Sequence, residues 1–107
     1  MIKIVHCKKS VYDVYIGRPS DPKITIEHFG NPFTHKSGTK ALIVLPTRED
    51  AIQAHLDWIS GIKWLDIEPD RRKWILDNLH LLKDKVIACW CAPLSCHGDN
   101  YKRLIEM

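Results

Sequence analysis

The chain has 107 residues, of which 45% are hydrophobic and 27% are charged, as in an ordinary folded globular protein. This length predicts one domain over residues 1–107 with a single core. The formal net charge of +3 argues against a dedicated duplex-DNA binder and leaves room only for a weaker contact with nucleic acid. The longest apolar runs fall far short of the roughly 20 residues that span a bilayer. The N-terminus reads as a strand and not as a signal peptide, so we expect a cytoplasmic protein without a membrane partner.

The first elements in chain order are two short strands, predicted over residues 1–6 and 13–17 from their β-branched and aromatic residues. We expect these strands to form a hairpin or to lie side by side. Proline and glycine then interrupt residues 18–40, which predicts a long functional loop with one short element over residues 23–27. Residues 41–45 are predicted to be a strand or an apolar lead-in to the first helix.

Two helices follow. Thr47 with Asp50 three residues later predicts the N-terminal cap of a helix over residues 48–60, which Gly61 ends. A second helix starts at Asp66 or Glu68, with Pro69 at its first helical position. The residues expected to face the core follow helical spacing and are Ile52, Leu56, Ile59, Ile75, Leu79 and Leu82. The basic clusters are expected to lie on solvated faces, and they are Lys8-Lys9, Arg71-Arg72-Lys73 and Lys102-Arg103.

A strand over residues 85–91 and a helix over residues 98–107 complete the chain. Tyr101 is expected to face inward from this last helix. Strands, two helices, a strand and a helix together predict an α/β sandwich with a partly parallel sheet flanked by helices. In such a fold the ends of the first and last strands open on one edge, where ligands collect. We therefore expect Arg18 and the Cys96-His97 pair to face one crevice.

Residues 89–97 carry three of the four cysteines and one of the six histidines. A structural zinc site would take its ligands from this segment, namely Cys89, Cys91, Cys96 and His97. However, residues two apart on a strand have side-chain origins roughly 6.5 Å apart, which is wide for thiolates that share one zinc ion. The spacing therefore argues against a metal site, and we expect no cofactor.

A second hypothesis for this segment is nucleophilic thiol chemistry. Cys96 lies near a predicted helix N-terminus, which favours a thiolate, and His97 could add positive charge. Asp99 is the only carboxylate close by. The candidate catalytic residues are therefore Cys96, His97 and Asp99, and the sequence does not decide whether the protein is an enzyme.

A third hypothesis makes the segment one wall of a binding site. Backbone N–H groups at a helix start suit an anion, and the Arg18 guanidinium suits a phosphate or carboxylate. Asn31 precedes a proline and is expected to present its amide outward, while Phe33 stacks on a base or fills the core. The candidate ligand-binding residues are Gly17, Arg18, Asn31, Phe33, Cys91 and His97. The structural alternative buries Cys89 and Cys91 as small hydrophobes, places Trp90 in the core and pairs Arg18 with an acidic neighbour. The remaining histidines are expected to be structural or exposed, and those considered are His28, His35, His55 and His80.

Four motifs together resemble a small family of domains of unknown function found in bacteria and their phages, and they are Tyr15-x-Gly17-Arg18-Pro19, Gly30-Asn31-Pro32-Phe33, Thr47-Arg48-Glu49 and Cys89-Trp90-Cys91-x-Pro93-x-x-Cys96-His97-Gly98-Asp99. The resemblance covers essentially the whole chain and implies an α/β, Rossmann-like domain. By analogy of fold, it implies a protein that binds or cleaves nucleosides and NAD-derived nucleotides. Nucleoside-cleaving proteins of that architecture use a carboxylate nucleophile, and Asp99 is the only acidic residue in the terminal motif.

The preferred function is binding of a nucleotide or nucleoside derivative, for example one derived from NAD or ADP-ribose. A phage protein that sequesters a host signalling nucleotide, or an enzyme that cleaves an N-glycosidic bond, would fit this site. The alternatives are a zinc-stabilised module that contacts nucleic acid or protein, and a thiol-based enzyme. The oligomeric state does not follow from the sequence.

Overall fold

The computed structural model describes residues 1–21, 23–36, 42–92 and 94–106 of the chain. Its elements in chain order are the strands and helices β1 (Lys3–His6), β2 (Val14–Tyr15), β3 (Phe33–Thr34), β4 (Ile43–Val44), α1 (Arg48–Ile59), α2 (Pro69–Asn78), a 3₁₀ turn (Leu79–Leu82), β5 (Val86–Cys89) and α3 (His97–Glu106). The predicted mixed α/β class is confirmed. Some sequence predictions lie outside the described residues, and they concern Pro22, Gly38, Ala41, Pro93 and Met107.

The main sheet has three strands in the order β1-β5-β2, and both outer strands pair with β5 in parallel. Three of the four residues of β5 are buried, because apolar side chains on both faces suit a central parallel strand. The expectation that the first two strands are neighbours is therefore wrong, since β5 lies between them. Because all three strands run the same way, their C-terminal ends meet at one edge of the sheet, as predicted.

A second, two-stranded sheet forms where β3 pairs with β4 in parallel. The strand predicted over residues 41–45 is confirmed at Ile43–Val44. Its partner, Phe33–Thr34, forms within the region that was predicted to be an irregular loop. The element predicted over residues 23–27 does not form. All five of those residues are exposed, so no apolar face is buried to stabilise a helix or a strand there.

Helix α1 begins and ends where the sequence predicts. The Thr47 hydroxyl accepts the backbone N–H of Asp50 at 3.1 Å, and Gly61, with φ of 78°, follows the last residues of the helix. The buried face differs from the predicted one, because Ile52 and Leu56 are only half-buried. The helix instead buries Ala51, Ala54, His55, Trp58 and Ile59.

The remaining helices pack their predicted apolar residues on the core. Ile75 in α2 and Tyr101 in α3 are fully buried. Arg71 contradicts the expectation of a solvated basic cluster, because its side chain is 1% exposed. Lys73, two residues later, is exposed as predicted. In the part of the chain that the structure describes, no helix is both long and apolar enough to cross a membrane.

Candidate functional site

A crevice of about 790 Å³ lies at the edge where the strands of the main sheet end. It is lined by residues that directly follow each strand, including Cys7 and Lys8 after β1, Gly17 after β2, and Trp90 after β5. Ligands bind at this edge of parallel sheets, and the volume falls within the roughly 300–1,000 Å³ of small-molecule sites. The crevice is therefore the candidate site.

The structure brings all of the predicted ligand-binding residues to this crevice, and they are Gly17, Arg18, Asn31, Phe33, Cys91 and His97. Of the predicted catalytic residues, Cys96 lines an adjoining cavity of about 390 Å³, which shares Trp90 and Cys91 with the crevice. Asp99 lines neither space. The structure therefore shows that these residues lie around one space. That they bind a ligand there stays a prediction.

Two hydrogen bonds to distant parts of the chain hold the Arg18 side chain in the crevice wall. Its Nε donates to the backbone oxygen of Asn31 at 3.2 Å, and its NH2 group donates to Glu68 Oε1 at 2.8 Å. Glu68 also accepts a bond from Arg71. The Arg18 guanidinium, which was predicted to bind an anionic ligand, is thus already paired with a carboxylate. Sequence reasoning missed Glu68 because it lies 50 residues away along the chain.

The Asn31 side chain fixes its own loop and does not face outward as expected. Its Oδ1 accepts the Phe33 N–H at 2.9 Å, and its Nδ2 donates to the Ala51 oxygen at 3.5 Å. An asparagine amide that satisfies a nearby backbone N–H in this way stabilises a tight turn. Phe33 is buried and packs edge-on against Trp64, with ring centroids 5.2 Å apart. Its side chain therefore fills the core beneath the crevice.

His97 joins the start of α3 to two loops. Its Nε2 lies 2.7 Å from the oxygen of Ile16 and 3.1 Å from that of Phe29, so this nitrogen carries the proton and donates it. Burial lowers the pKa of His97 to about 4. The imidazole is consequently neutral at pH 7, and the expectation that it adds positive charge beside Cys96 is wrong.

Cys96 and Asp99 cap the N-terminus of α3. The Asp99 carboxylate accepts the Cys96 N–H at 3.0 Å, and the Cys96 sulfur accepts the Gly98 N–H at 3.3 Å. This reciprocal pair is a capping box in which a thiol replaces the usual hydroxyl. Asp99 therefore holds the helix and does not orient a catalytic histidine.

Three thiols gather beside this cap. The sulfur atoms of Cys89 and Cys96 are 3.0 Å apart. The bond from Cys89 and then the Gly98 N–H lower the pKa of Cys96 against the effect of burial. The bond to Cys89, followed by burial, raises the pKa of Cys91. Cys96 is thus the thiol of the cluster that ionises most readily.

Zinc does not fit this cluster as described. Over residues 1–21, 23–36, 42–92 and 94–106, no group of three or more His, Cys, Asp or Glu side chains is arranged to hold a metal ion. His97, the fourth candidate ligand, directs its Nε2 at backbone carbonyl oxygens. The zinc-stabilised alternative therefore gains no support from this part of the chain.

Trp90 is a site residue that sequence reasoning missed. The structural alternative, which places this side chain in the core, is wrong, because the side chain is 57% exposed. Its indole N–H donates to the Tyr15 hydroxyl at 2.7 Å, and the Lys8 ammonium lies 5.4 Å from the centre of its ring. The strand predicted over residues 85–91 ends at Cys89, so Trp90 lies just beyond it. One sequence signal could have identified Trp90 as a site residue: it directly follows a buried strand, at the edge of the sheet where ligands bind.

A family model described as a domain of unknown function (DUF4326) matches residues 3–107 of the chain. No curated protein and no solved structure gives a significant match. The expected membership of an uncharacterised domain family is confirmed, whereas occurrence in bacteria and phages stays a prediction. The comparison extends over the whole crevice but brings no activity with it.

Proposed function

The chain belongs to the DUF4326 family, and we propose that it binds a nucleotide or nucleoside derivative, such as one derived from NAD or ADP-ribose, in the crevice at the strand ends. The observation that carries the proposal is the pairing of the exposed Trp90 ring with the Lys8 and Arg18 side chains in one space of about 790 Å³. A nucleotide presents the matching chemistry of a flat aromatic base, a polar sugar and an anionic phosphate.

Trp90 supplies a surface on which a base can stack. The bond from its indole N–H to the Tyr15 hydroxyl holds the ring against β2, so little freedom is lost when a ligand covers it. Tyr12 and Tyr15 also line the crevice and contact each other, with ring centroids 6.4 Å apart. A base stacked on an aromatic side chain contributes about 1–3 kcal/mol. Stacking is therefore expected to supply a large share of the affinity.

Lys8 is the cation most available to a phosphate. Among the described residues it forms no ion pair with a carboxylate, whereas Arg18 is already paired with Glu68. We expect the ammonium of Lys8 to contact the phosphate directly. Arg18 then contributes mainly by holding the Asn31 loop in place.

The proposal concerns binding and does not include cleavage. Asp99, the carboxylate that the terminal motif offered, caps α3 outside the crevice. Asp21 does line the crevice, but its Oδ1 accepts the Lys23 N–H at 2.9 Å. Binding alone would suffice for a cytoplasmic phage protein that sequesters a host nucleotide. We also propose that the fold is Rossmann-like, as the family resemblance implies.

Trp90→Ala is expected to weaken nucleotide binding about 5- to 150-fold, which corresponds to the loss of about 1–3 kcal/mol of stacking. Isothermal titration calorimetry with NAD, ADP-ribose and adenine nucleotides measures the change, and Trp90→Phe should recover most of it. Leu65→Ala is the control, since Leu65 is 50% exposed and lines neither cavity. An absence of binding across the panel would contradict the proposed function.

Lys8→Gln is expected to weaken binding about 2- to 5-fold at low salt, and the difference from wild type should shrink as ionic strength rises. The matched control is Lys63→Gln. Lys63 also lies over a tryptophan, 5.7 Å from the centre of the Trp64 ring, but lines neither cavity. Equal losses in the two variants would show that Lys8 makes no specific phosphate contact.

A further inference from the structure

Two of the three clustered thiols flank the connection between β5 and α3. Cys89 is the last residue of β5, and Cys96 directly precedes α3. Their sulfur atoms are 3.0 Å apart, and about 1 Å of further approach would bring them to the roughly 2.05 Å of a disulfide bond. The two residues are seven positions apart, so such a bond would close a short loop.

Both sulfur atoms belong to residues at the walls of the two cavities. Cys89 lines the crevice, Cys96 lines the adjoining cavity, and Cys91 lines both. Cys89 and Cys96 are 2% and 3% exposed, so a small reagent that enters either space reaches walls in which both thiols are buried. The capping arrangement at Cys96 directs the Gly98 N–H at its sulfur, and this favours the thiolate form that reacts with oxidants.

We infer that Cys96 is an oxidation site for small hydroperoxides and that Cys89 is its resolving thiol. The Cys96 thiolate attacks the peroxide, forms a sulfur–oxygen bond and breaks the oxygen–oxygen bond, which releases water or an alcohol after protonation. The product is a sulfenic acid on Cys96. The Cys89 thiol then attacks the sulfur of this sulfenic acid, forms the Cys89–Cys96 disulfide and breaks the sulfur–oxygen bond, which releases one water. An external dithiol returns both residues to thiols by exchange.

The choice of Cys89 over Cys91 as the resolving thiol follows from contact. Cys89 is the residue whose sulfur lies at 3.0 Å from Cys96. Cys91 bonds to Cys89, and this bond raises the pKa of the Cys91 thiol. The inference goes beyond nucleotide binding and does not depend on it, because no nucleotide takes part in either step.

Differential labelling tests the pairing on the reduced full-length protein. One equivalent of hydrogen peroxide is added, free thiols are alkylated, the protein is reduced, and new thiols take a second, isotopically distinct reagent. We expect the second label on Cys89 and Cys96 and the first label on Cys7 and Cys91, as located by fragmentation mass spectrometry. A disulfide that includes Cys7 or Cys91, or the absence of any second label, would overturn the inference.

Single substitutions separate the two roles. Cys96→Ser keeps a favoured capping residue, so it should fold and lose peroxide-dependent labelling. Cys89→Ala should leave a sulfenic acid at Cys96 that dimedone traps. Cys91→Ser is the matched control and should form the same disulfide as wild type. Labelling that persists in Cys96→Ser, or disappears in a folded Cys91→Ser, would also overturn the inference.

Discussion

Lowering the pH from 7 to 5 is expected to reduce the free energy of unfolding by about 4 kcal/mol through His28 and His97 alone, because three buried histidines must stay neutral in the folded protein. They are His28, His55 and His97. Burial and then Arg71 lower the pKa of His28 to about 4, and burial lowers that of His97 to about 4. Burial, His97 and Arg71 hold the pKa of His55 well below 6.5.

The hydrogen bonds of these rings explain why a second proton is disfavoured. His28 Nδ1 accepts the Gly30 N–H at 3.1 Å, and His55 Nδ1 accepts the Asn100 amide at 2.9 Å. Protonation would turn each of these acceptors into a donor facing another donor. The cost adds to that of placing a charge in the core.

Stability falls as the pH falls, because folding lowers the pKa of all three histidines. The unfolded chain binds protons near the usual histidine pKa of 6.5, whereas the fold holds the pKa values of His28 and His97 at about 4 and that of His55 well below 6.5. Stability is therefore complete above about pH 7, falls as the pH drops below 6.5, and levels off only below the folded pKa values. His28 and His97 each contribute roughly 2 kcal/mol of the loss between pH 7 and pH 5, and His55 adds to it in the same direction. Urea unfolding at several pH values in this range measures it.

His28→Asn isolates one of the three contributions. An asparagine oxygen can accept the Gly30 N–H in the same type of turn, so the fold should be kept while the titration is lost. The slope of stability against pH should then fall by about a third. His80→Gln changes an exposed histidine and should leave the slope as it is. Stability that stays constant from pH 7 to pH 5 would contradict the burial of neutral histidines.

Arg71→Met is expected to destabilise the protein by about 3–5 kcal/mol, the range found when one partner of a buried ion pair is removed. Its Nε bonds to Glu68, and its NH1 group donates to the Gly30 oxygen at 2.6 Å and the His28 oxygen at 3.3 Å. The guanidinium also lies 5.2 Å from the centre of the Trp58 ring. The substitution leaves two buried carbonyl groups without these donors.

The same helix provides the matched control. Lys73 pairs with Asp77 at 2.9 Å, but both side chains are well exposed, so Lys73→Met should leave the stability nearly unchanged. Arg71→Lys keeps the charge but not the planar fork, and an intermediate loss is expected. Chemical denaturation at pH 7.5 compares the variants. A change below about 1 kcal/mol for Arg71→Met would show that the buried pair does not stabilise the fold.

The parts of the fold that the sequence predicts have local signals. The Thr47 cap, Pro69 and Gly61 mark the ends of helices, and the apolar run of β5 marks a central strand. The order of the strands has no such signal, because it depends on pairing between residues more than 70 positions apart. The two-residue strand β3 is also too short to show any periodicity.

The burial of Arg71 escaped prediction for a similar reason. Its neighbours Arg72 and Lys73 indicate a solvated face, whereas its carbonyl partners lie more than 40 residues earlier in the chain. Long-range partners of this kind make Arg71 a buried structural residue and not a solvated one. No local pattern distinguishes the two cases.

For the candidate site, position was predictable and role was not. The crevice residues directly follow strands, and parallel strands end at one edge, so Gly17, Arg18 and Cys91 could be placed together. Arg18 and His97 nevertheless use their polar atoms for distant partners, Glu68 and the Phe29 carbonyl. These partners convert predicted ligand contacts into supports of the crevice wall.

The most direct test of the account is the response of the tryptophan side chains to ligand, followed in ¹⁵N-labelled protein by NMR. The four indole N–H groups report on separate places in the molecule. We predict that ADP-ribose or an adenine nucleotide shifts the indole signal of Trp90. The signals of Trp58 in the core and of Trp74 packed against the core should not change. A Trp90 signal that does not move for any nucleotide at millimolar concentration would contradict nucleotide binding in the crevice.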